Sequence, residues 1–342
     1  MNDIPPEIYP DWLDLKSFYS DENFIYKWER LPPDWEGWPH LEYSRPRVAP
    51  DKVYHYTSAA GLLGIISTCS LHAGDVTFLN DSRELTYAGD NLLHALRQER
   101  EAIALNSHMT ARNLQRTPQI TAELSERQRR RAIWGRHLTK QGSLGAIKSL
   151  STLIQELEQM CGPSRSSPLH VYVSCFCENG DLLSQWRGYG GVGGYAIGFR
   201  SDVLEKRAKG FPVAVFENVR YGFDESLTSA SELFPEYLKS GMTLMADYLR
   251  PLTLIKNDAF REEREWRVMV ARDCIDELTK FRVGPVGVTP FVSVDFSPED
   301  VGELIVGPGP HSAERVNGTH QLLDRYGMKH VRVVLSETSL RL

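Results

Sequence analysis

Hydrophobic and polar residues alternate in several short stretches, which is the period-2 pattern of β-strands. Helical patterns are fewer. Thr57 or Ser58 is placed to cap a short helix, Asp81 and Glu84 resemble a capping box before a long one, and two further helices are predicted near 229–250 and 313–326. Because most strands follow one another without helical crossovers, the fold class predicted is α+β. The predicted strands lie within KVYHYTS, HVYVSCFCEN, GYAIGFRS, PVAVFENVRYG, EREWRVMVA, TPFVSVDFS, ELIVGPG and KHVRVVLS.

The first fifty residues differ in character from the rest. They are rich in proline and hold four of the seven tryptophans: Trp12, Trp28, Trp35 and Trp38. A disordered tail is poor in aromatic residues, so residues 1–50 are predicted to form an ordered arm packed on the body. The body then comprises residues 51–342, with a helical insertion at about 97–168.

The composition indicates the broad class of protein to which the chain belongs. Hydrophobic residues make up 41% and charged residues 25% of the 342 residues, which is typical of globular proteins. No apolar run approaches the length of a membrane helix, and the first residues lack the features of a secretory signal. We therefore expect a cytoplasmic protein without a membrane partner.

The charge is unevenly distributed. Residues 111–150 contain nine Lys or Arg and two Glu, a local net charge of +7. The rest of the chain therefore has a net charge of −13, since the whole chain has −6. Two interpretations stay open: a nucleic-acid-binding surface, and solvated helices paired with acidic surface elsewhere. The nucleic-acid-binding candidates are Arg127, Arg129, Arg130, Arg131, Arg136 and Lys140.

The cysteines and histidines show no metal-ligand spacing, so no metal is predicted. Cys175 and Cys177 are one residue apart in a predicted strand and share a face. They are interpreted as buried free thiols rather than a redox or metal pair.

Two glutamates carry the sharpest chemical signal. Along a strand Glu263, Glu265 and Arg267 would share one face. Two carboxylates at this spacing resist joint burial unless a cation or hydrogen bonds compensate them. The pattern fits a solvated edge with salt bridges as well as a carboxylate held over a ligand hydroxyl.

A glycine-rich loop and one histidine are further candidates. Residues 190–194 lie between predicted strands with no helix opening after them, which argues against a dinucleotide fingerprint. Trp186 and Arg187 precede this loop, and Trp186 fits a core position as well as a pocket. His55 lies on the first predicted strand. The pattern of its neighbours does not decide between a hydrogen-bonded core histidine and a catalytic one.

Several motifs together resemble a bacterial family of unknown function, DUF2971. They are VYHYTSAAGLLGII, TFLNDSRELTYA, VSCFCENGDLLSQWRGYG, GYAIGF, AFREEREWRV and ELIVGPG, spread over about residues 52–310. That family in turn resembles a distant branch of the ADP-ribosyltransferase (ART) fold. The resemblance implies an ART-like mixed β core with flanking helices and a helical insertion.

The resemblance also implies roles for individual residues. Glu265 would be the catalytic glutamate, Glu263 would complete a Glu-x-Glu pair, and His55, the third catalytic candidate, would hold a ribose of NAD. Phe78 or Tyr87 would stack on nicotinamide. The implied NAD-binding residues are His55, Thr57, Phe78, Asn80, Tyr87, Trp186 and Arg187.

The expected function is therefore an NAD-dependent ADP-ribosyltransferase acting on a macromolecular acceptor, a nucleic acid or a protein, as a toxin or defence effector. NAD is its substrate. The alternatives are a catalytically silent ligand or nucleic-acid sensor on the same fold, and an NAD glycohydrolase. The NAD interpretation requires His55 and Glu265 to line one cleft.

Overall fold

The structure is a computed structural model, and it describes residues 48–78, 84–108, 142–161, 170–190, 193–222, 251–272, 274–284 and 287–338. The chain divides into two units. The body comprises 47–98 and 148–342, and the other unit comprises 1–46 and 99–147. Of the second unit only parts of two helices fall in the described ranges. The predicted arm up to residue 47, and residues 109–141 of the predicted insertion, lie outside them.

Strands dominate the described part of the body. In chain order they are β1 (Lys52–Thr57), β2 (Ser70–Asp75), β3 (His170–Cys177), β4 (Tyr195–Arg200), β5 (Ala214–Asn218), β6 (Arg220–Tyr221), β7 (Ile255–Lys256), β8 (Glu265–Arg272), β9 (Thr279–Gly284), β10 (Gly287–Asp295), β11 (Val301–Val306) and β12 (Arg332–Leu335). The longer helices are α1 (Ala59–Thr68), α2 (Glu84–His108), α3 (Gly142–Cys161), α4 (Ser201–Ala208) and α5 (Ser312–Arg325). A short α-helical turn, Leu183–Gln185, and a π-helix, Trp186–Gly190, precede β4.

Within these ranges ten strands form one mixed sheet. Eight of them follow the order β12-β11-β4-β1-β3-β2-β10-β9, while β8 pairs with β3 and β5 pairs with β8. The β11–β12 pair is parallel and the other pairs of this sheet are antiparallel. The short strands β6 and β7 pair in parallel as a second sheet. A large mixed sheet with separate helices confirms the predicted α+β class.

The sheet forks at β3. Strand β8 pairs with β3 along its whole length, so β8 occupies one edge of that strand. Strands β1 and β2 share the other edge: β1 meets β3 at Cys177, and β2 meets it at Tyr172 and Val173. Two wings therefore diverge from β3, one formed by β1, β4, β11 and β12 and the other by β2, β10 and β9.

The two faces of the sheet differ in chemistry. The core face, defined by Tyr172, Phe176, Trp266 and Val268, belongs to the main hydrophobic cluster, which includes residues of both wings and of α1. The carboxylate face, defined by Cys175, Cys177, Glu265 and Arg267, lies on the other side, because side chains alternate along a strand. Burial of the core face, to which α1 contributes Leu62 and Ile66, is the main stabilising term of the body.

The helix cap predicted at the start of α1 is confirmed. Helix α1 begins after Ser58, whose side chain accepts a hydrogen bond from the amide of Gly61. One strand boundary was predicted wrongly. Glu263 ends a 3₁₀ turn, Arg264 adopts a left-handed conformation with φ 41°, and β8 begins only at Glu265. The predicted helix near 229–250 lies outside the described residues.

Gly194 is required by a close backbone contact beside the glycine-rich loop. A Cβ at this position would lie 2.1 Å from Cα of Gly190, so one of the two backbones would have to move. We expect Gly194→Ala to lower the free energy of unfolding by about 1–3 kcal/mol, as overpacking does. Chemical denaturation measures it, with Gly302→Ala as the control because a Cβ there meets nothing within 4 Å. Equal stability of the two variants would contradict the expectation.

None of the helices in the described ranges combines the length and the apolar character needed to cross a lipid bilayer.

Candidate functional site

Five charged side chains meet on the carboxylate face around the start of β8. Glu265 and Arg267 come from β8 itself, Glu263 from the preceding turn, Lys256 from β7 and Glu84 from the first residue of α2. All five are buried. We call this group the charge cluster.

Arg267 is the most deeply buried member, with its side chain 1% exposed. Its Nε and Nη2 donate to the two carboxylate oxygens of Glu265 at 2.7 and 3.1 Å. Nη1 donates to the carbonyl of Thr253 at 2.5 Å and also pairs with Glu84. A bidentate Arg–carboxylate pair of this kind fixes both planar groups.

Lys256 joins the remaining carboxylates. Its Nζ donates to Oε2 of Glu263 at 2.7 Å and to Oε2 of Glu265 at 2.9 Å, and it lies 4.0 Å from Oε2 of Glu84. Burial opposes its charge, but the carboxylates of Glu265 and Glu84 outweigh that effect and raise the pKa of Lys256. The ammonium group is therefore charged at neutral pH.

The two neighbouring glutamates have opposite pKa shifts. Burial would raise the pKa of Glu265, but Arg267 and Lys256 outweigh it and lower that pKa to about 2. For Glu263 burial dominates over the attraction of Lys256, and its pKa is raised. A carboxylate pair whose pKa values are driven apart is the arrangement that assigns an anion and a proton-transfer group in acid–base enzymes.

The cluster has an excess of negative charge. Three carboxylates face two cations, so this set of ion pairs leaves one negative charge. A buried negative excess favours a ligand, or a transition state, that carries positive charge.

Two tyrosines border the cluster. The Tyr221 hydroxyl accepts a hydrogen bond from the amide of Glu265 at 2.8 Å, which orients the start of β8. Tyr189 is 44% exposed. Burial of its hydroxyl, followed by the charges of Cys175 and Glu265, nevertheless raises the pKa of Tyr189, so the cluster acts on this hydroxyl electrostatically.

Cys175 and Cys177 lie beside the cluster on β3. Register places them opposite Arg267 and Glu265 respectively. Both are free, and burial followed by the charge of Glu265 raises their thiol pKa values. Raised pKa values leave little thiolate, which is consistent with the interpretation as buried thiols rather than reactive ones.

His55 does not share the face of Glu265. Its strand neighbour Tyr54 pairs with Cys177, which pairs with Glu265, so these three lie on the carboxylate face and His55 on the other. The His55 ring instead reaches the edge of β3, with Nδ1 2.9 Å from the carbonyl of Cys175. Burial lowers its pKa. His55 reaches the backbone carbonyl of Cys175, whereas the Cys175 side chain is on the face of Glu265. His55 and Glu265 therefore do not line one face.

The other predicted NAD-binding residues are dispersed. Trp186 is buried and donates through Nε1 to Asp181 at 2.7 Å, so it packs in the core, whereas the neighbouring Arg187 is exposed. Phe78 is 42% exposed in a 3₁₀ turn after β2, and Tyr87 is half-buried in the first turn of α2. Thr57 ends β1 beside Gly61 of α1.

Some candidates lie outside the described residues, and their predictions stay open. These are Asn80 and the six basic candidates Arg127, Arg129, Arg130, Arg131, Arg136 and Lys140.

The residues that sequence analysis missed are Lys256 and Glu84. Lys256 lies in a two-residue strand, and Glu84 was interpreted only as part of a capping box. The resistance of Glu263 and Glu265 to joint burial signalled that a cation was needed, but no local pattern identifies a lysine from another strand.

Comparison with known proteins gives one match. Residues 185–268 match the model of a family described as "Protein of unknown function (DUF2971)", and this stretch contains Tyr189, Lys256 and both glutamates of the cluster. The match supports the resemblance to that family. No curated protein and no solved structure matches the chain.

Proposed function

We propose that this protein is an enzyme that cleaves the bond between nicotinamide and ribose in NAD and transfers ADP-ribose to a macromolecular acceptor, with Glu265 and Glu263 as its catalytic carboxylates. The observation that carries this proposal is the pair of adjacent buried carboxylates on one lysine with pKa values shifted in opposite directions. The choice of NAD rests on the family resemblance.

Glu265 is suited to stabilise positive charge. Cleavage of a glycosidic bond proceeds through an oxocarbenium-like state in which the sugar becomes cationic. Glu265 remains ionised at neutral pH, and its cluster carries one negative charge in excess. Because Arg267 and Lys256 hold the carboxylate in place, it needs no reorganisation as the charge develops.

Glu263 is suited to move a proton. It is the most exposed of the three carboxylates, with 11% of its side chain accessible against 4% for Glu265. Its raised pKa moves it toward the range of an efficient general base. In the proposed reaction it accepts the proton of the acceptor nucleophile as that group attacks the ribose carbon.

Tyr189 takes the role that the resemblance assigned to Phe78 or Tyr87. It borders the charge cluster and is half-exposed, so its ring is available to a planar cationic group such as nicotinamide. The form of NAD binding implied by the resemblance required His55 and Glu265 to line one cleft. This requirement is not met, because register puts His55 on the other face. The proposal therefore rests on the glutamate pair and gives His55 no role in binding NAD.

A second candidate is a catalytically silent ligand sensor built on the same cluster. The observation in its favour is the near-complete burial of Glu265 and Arg267, which already neutralise each other. A buried ion pair of this kind often serves structure or specificity rather than chemistry.

The test is incubation of the full chain with NAD labelled in its adenylate part and a cell lysate, followed by separation of macromolecule-bound label, free ADP-ribose and nicotinamide. We expect bound label and released nicotinamide. Glu263→Gln is expected to lose most of the bound label while still releasing some nicotinamide, because the acceptor is then not deprotonated.

The control is Glu205→Gln, an exposed glutamate of α4 paired with Lys209. It should match the wild type. If free ADP-ribose forms without bound label, the activity is NAD hydrolysis and not transfer to an acceptor. An unchanged NAD concentration in all samples would overturn the enzymatic proposal and favour the sensor.

A further inference from the structure

A polar strip, separate from the charge cluster, lies on the wing formed by β2, β10 and β9, on the carboxylate face of the sheet. Register places Arg282 opposite Thr289, Lys280 opposite Phe291, His72 opposite Ser293 and Ser70 opposite Asp295. These positions are two residues apart on β10, so their side chains share one face. The Arg282 guanidinium lies over Phe291 and the Lys280 ammonium donates to Ser293, so the two charges are four and two residues from Asp295 along β10, about 13 and 7 Å at ~3.3 Å per residue.

One end of the strip is cationic. Arg282 is exposed, its guanidinium lies over Gly74, and among the described residues it has no carboxylate partner. Lys280 donates to the Ser293 hydroxyl at 2.9 Å and likewise forms no ion pair there. Although the residue as a whole is exposed, partial burial of its guanidinium lowers the pKa of Arg282.

The middle of the strip is aromatic. The ring of His72 stacks on Phe291 with centroids 3.9 Å apart, and the Arg282 guanidinium lies 6.0 Å from the centre of the Phe291 ring. Burial lowers the pKa of His72, and the charges of Arg282 and Lys280 add to this. These effects favour the neutral imidazole of His72.

The other end is acidic. Asp295 is exposed, and no ion pair within the described ranges involves it. It borders an open surface pocket of about 570 Å³ whose wall also includes His72, Lys280, Phe291 and Ser293, while Arg282 lies outside that wall. The last residue of α1, Thr68, lies at the same end, so helix carbonyls add to the negative potential there.

We propose that this strip is a binding site for a small phosphate ester that carries sugar hydroxyl groups, such as a sugar phosphate or a nucleotide. The phosphate contacts Lys280 and Arg282, and a hydroxyl donates to Asp295. The ring or sugar packs against the half-buried His72, because Phe291 beneath it is only 5% exposed. An inorganic anion satisfies only the cationic end, so the acid selects for the hydroxyl-bearing part. The site is separate from the chemistry at Glu265 and requires no turnover.

The test is isothermal titration of the full chain with three probes: inorganic pyrophosphate, ribose 5-phosphate and ADP. We expect all three to bind, with affinities that fall as salt is added. Arg282→Gln should weaken all three about tenfold or more, since a charge-assisted contact to phosphate is lost. Asp295→Asn should weaken ribose 5-phosphate and ADP but leave pyrophosphate unchanged or slightly tighter.

The matched control is Arg200→Gln, an exposed arginine paired with Asp202 outside the strip, and it should bind like the wild type. The proposal is overturned if no probe binds, or if Arg282→Gln binds as the wild type does. An equal effect of Asp295→Asn on pyrophosphate and on ribose 5-phosphate would overturn the assignment of the sugar to the acidic end. Since no result depends on NAD cleavage, failure of the proposed activity leaves this test intact.

Discussion

Replacing Arg267 with methionine is expected to lower the free energy of unfolding by about 3–5 kcal/mol at neutral pH. The guanidinium is almost completely buried between Glu265, Glu84 and the carbonyl of Thr253. Methionine fills a similar volume, so the loss comes from charge and not from a cavity. Three buried carboxylates, Glu84, Glu263 and Glu265, would remain with only Lys256 beside them.

Chemical denaturation of the wild type and the variant measures this effect. Arg200→Met is the control, because that arginine is exposed and solvent screens its pair with Asp202. Adding Glu265→Gln to Arg267→Met should restore part of the lost stability, since it removes an uncompensated charge. A loss below about 1 kcal/mol, or strictly additive effects in the double variant, would contradict the role assigned to the pair.

Replacing Glu265 with glutamine is expected to reduce turnover of NAD by about 10²–10³-fold, as at comparable electrostatic sites. The side chain keeps its size, so the change removes the charge on which the proposed cationic transition state depends. Initial rates of nicotinamide release measure the effect. Stability is measured in parallel, because the variant also leaves Arg267 and Lys256 with fewer carboxylates.

Glu303→Gln separates a catalytic effect from a structural one. Glu303 is another buried carboxylate, which accepts hydrogen bonds from Lys52, Tyr54 and Arg332 on β1 and β12. Glu303→Gln should lose about as much stability as Glu265→Gln, but its folded protein should keep the wild-type turnover. If the two variants release nicotinamide equally fast, Glu265 is structural.

Much of the fold followed from periodicity, because strand alternation and helix caps are local. β1, β3, β4 and β11 were each predicted from alternating or continuous apolar residues, and α1 from the capping Ser58. The prediction failed around Glu263, where alternation suggested one continuous strand. Arg264 instead turns the chain in a left-handed conformation, which no alternation of polar and apolar residues signals.

The candidate site was predicted in part. Glu263 and Glu265 were selected because two close carboxylates need compensation, and both do contact one lysine. That lysine and Glu84 come from separate elements, so their identity depends on how β7 and α2 pack against β8. His55 was assigned by resemblance to the same cleft, yet the pairing of β1 with β3 puts it on the other face.

By itself the sequence determined the α+β class, most strand positions and the condition that Glu263 and Glu265, if buried together, need a cation or hydrogen bonds. These properties depend on neighbouring residues and on the cost of burying charge, both of which are readable along one chain. Tertiary structure decided which cation compensates the two glutamates and which face each strand residue occupies. It also decided that β2, β9 and β10 place Arg282 and Asp295 on one strip. Strand register is a long-range property, and a shift of one residue moves every side chain to the opposite face.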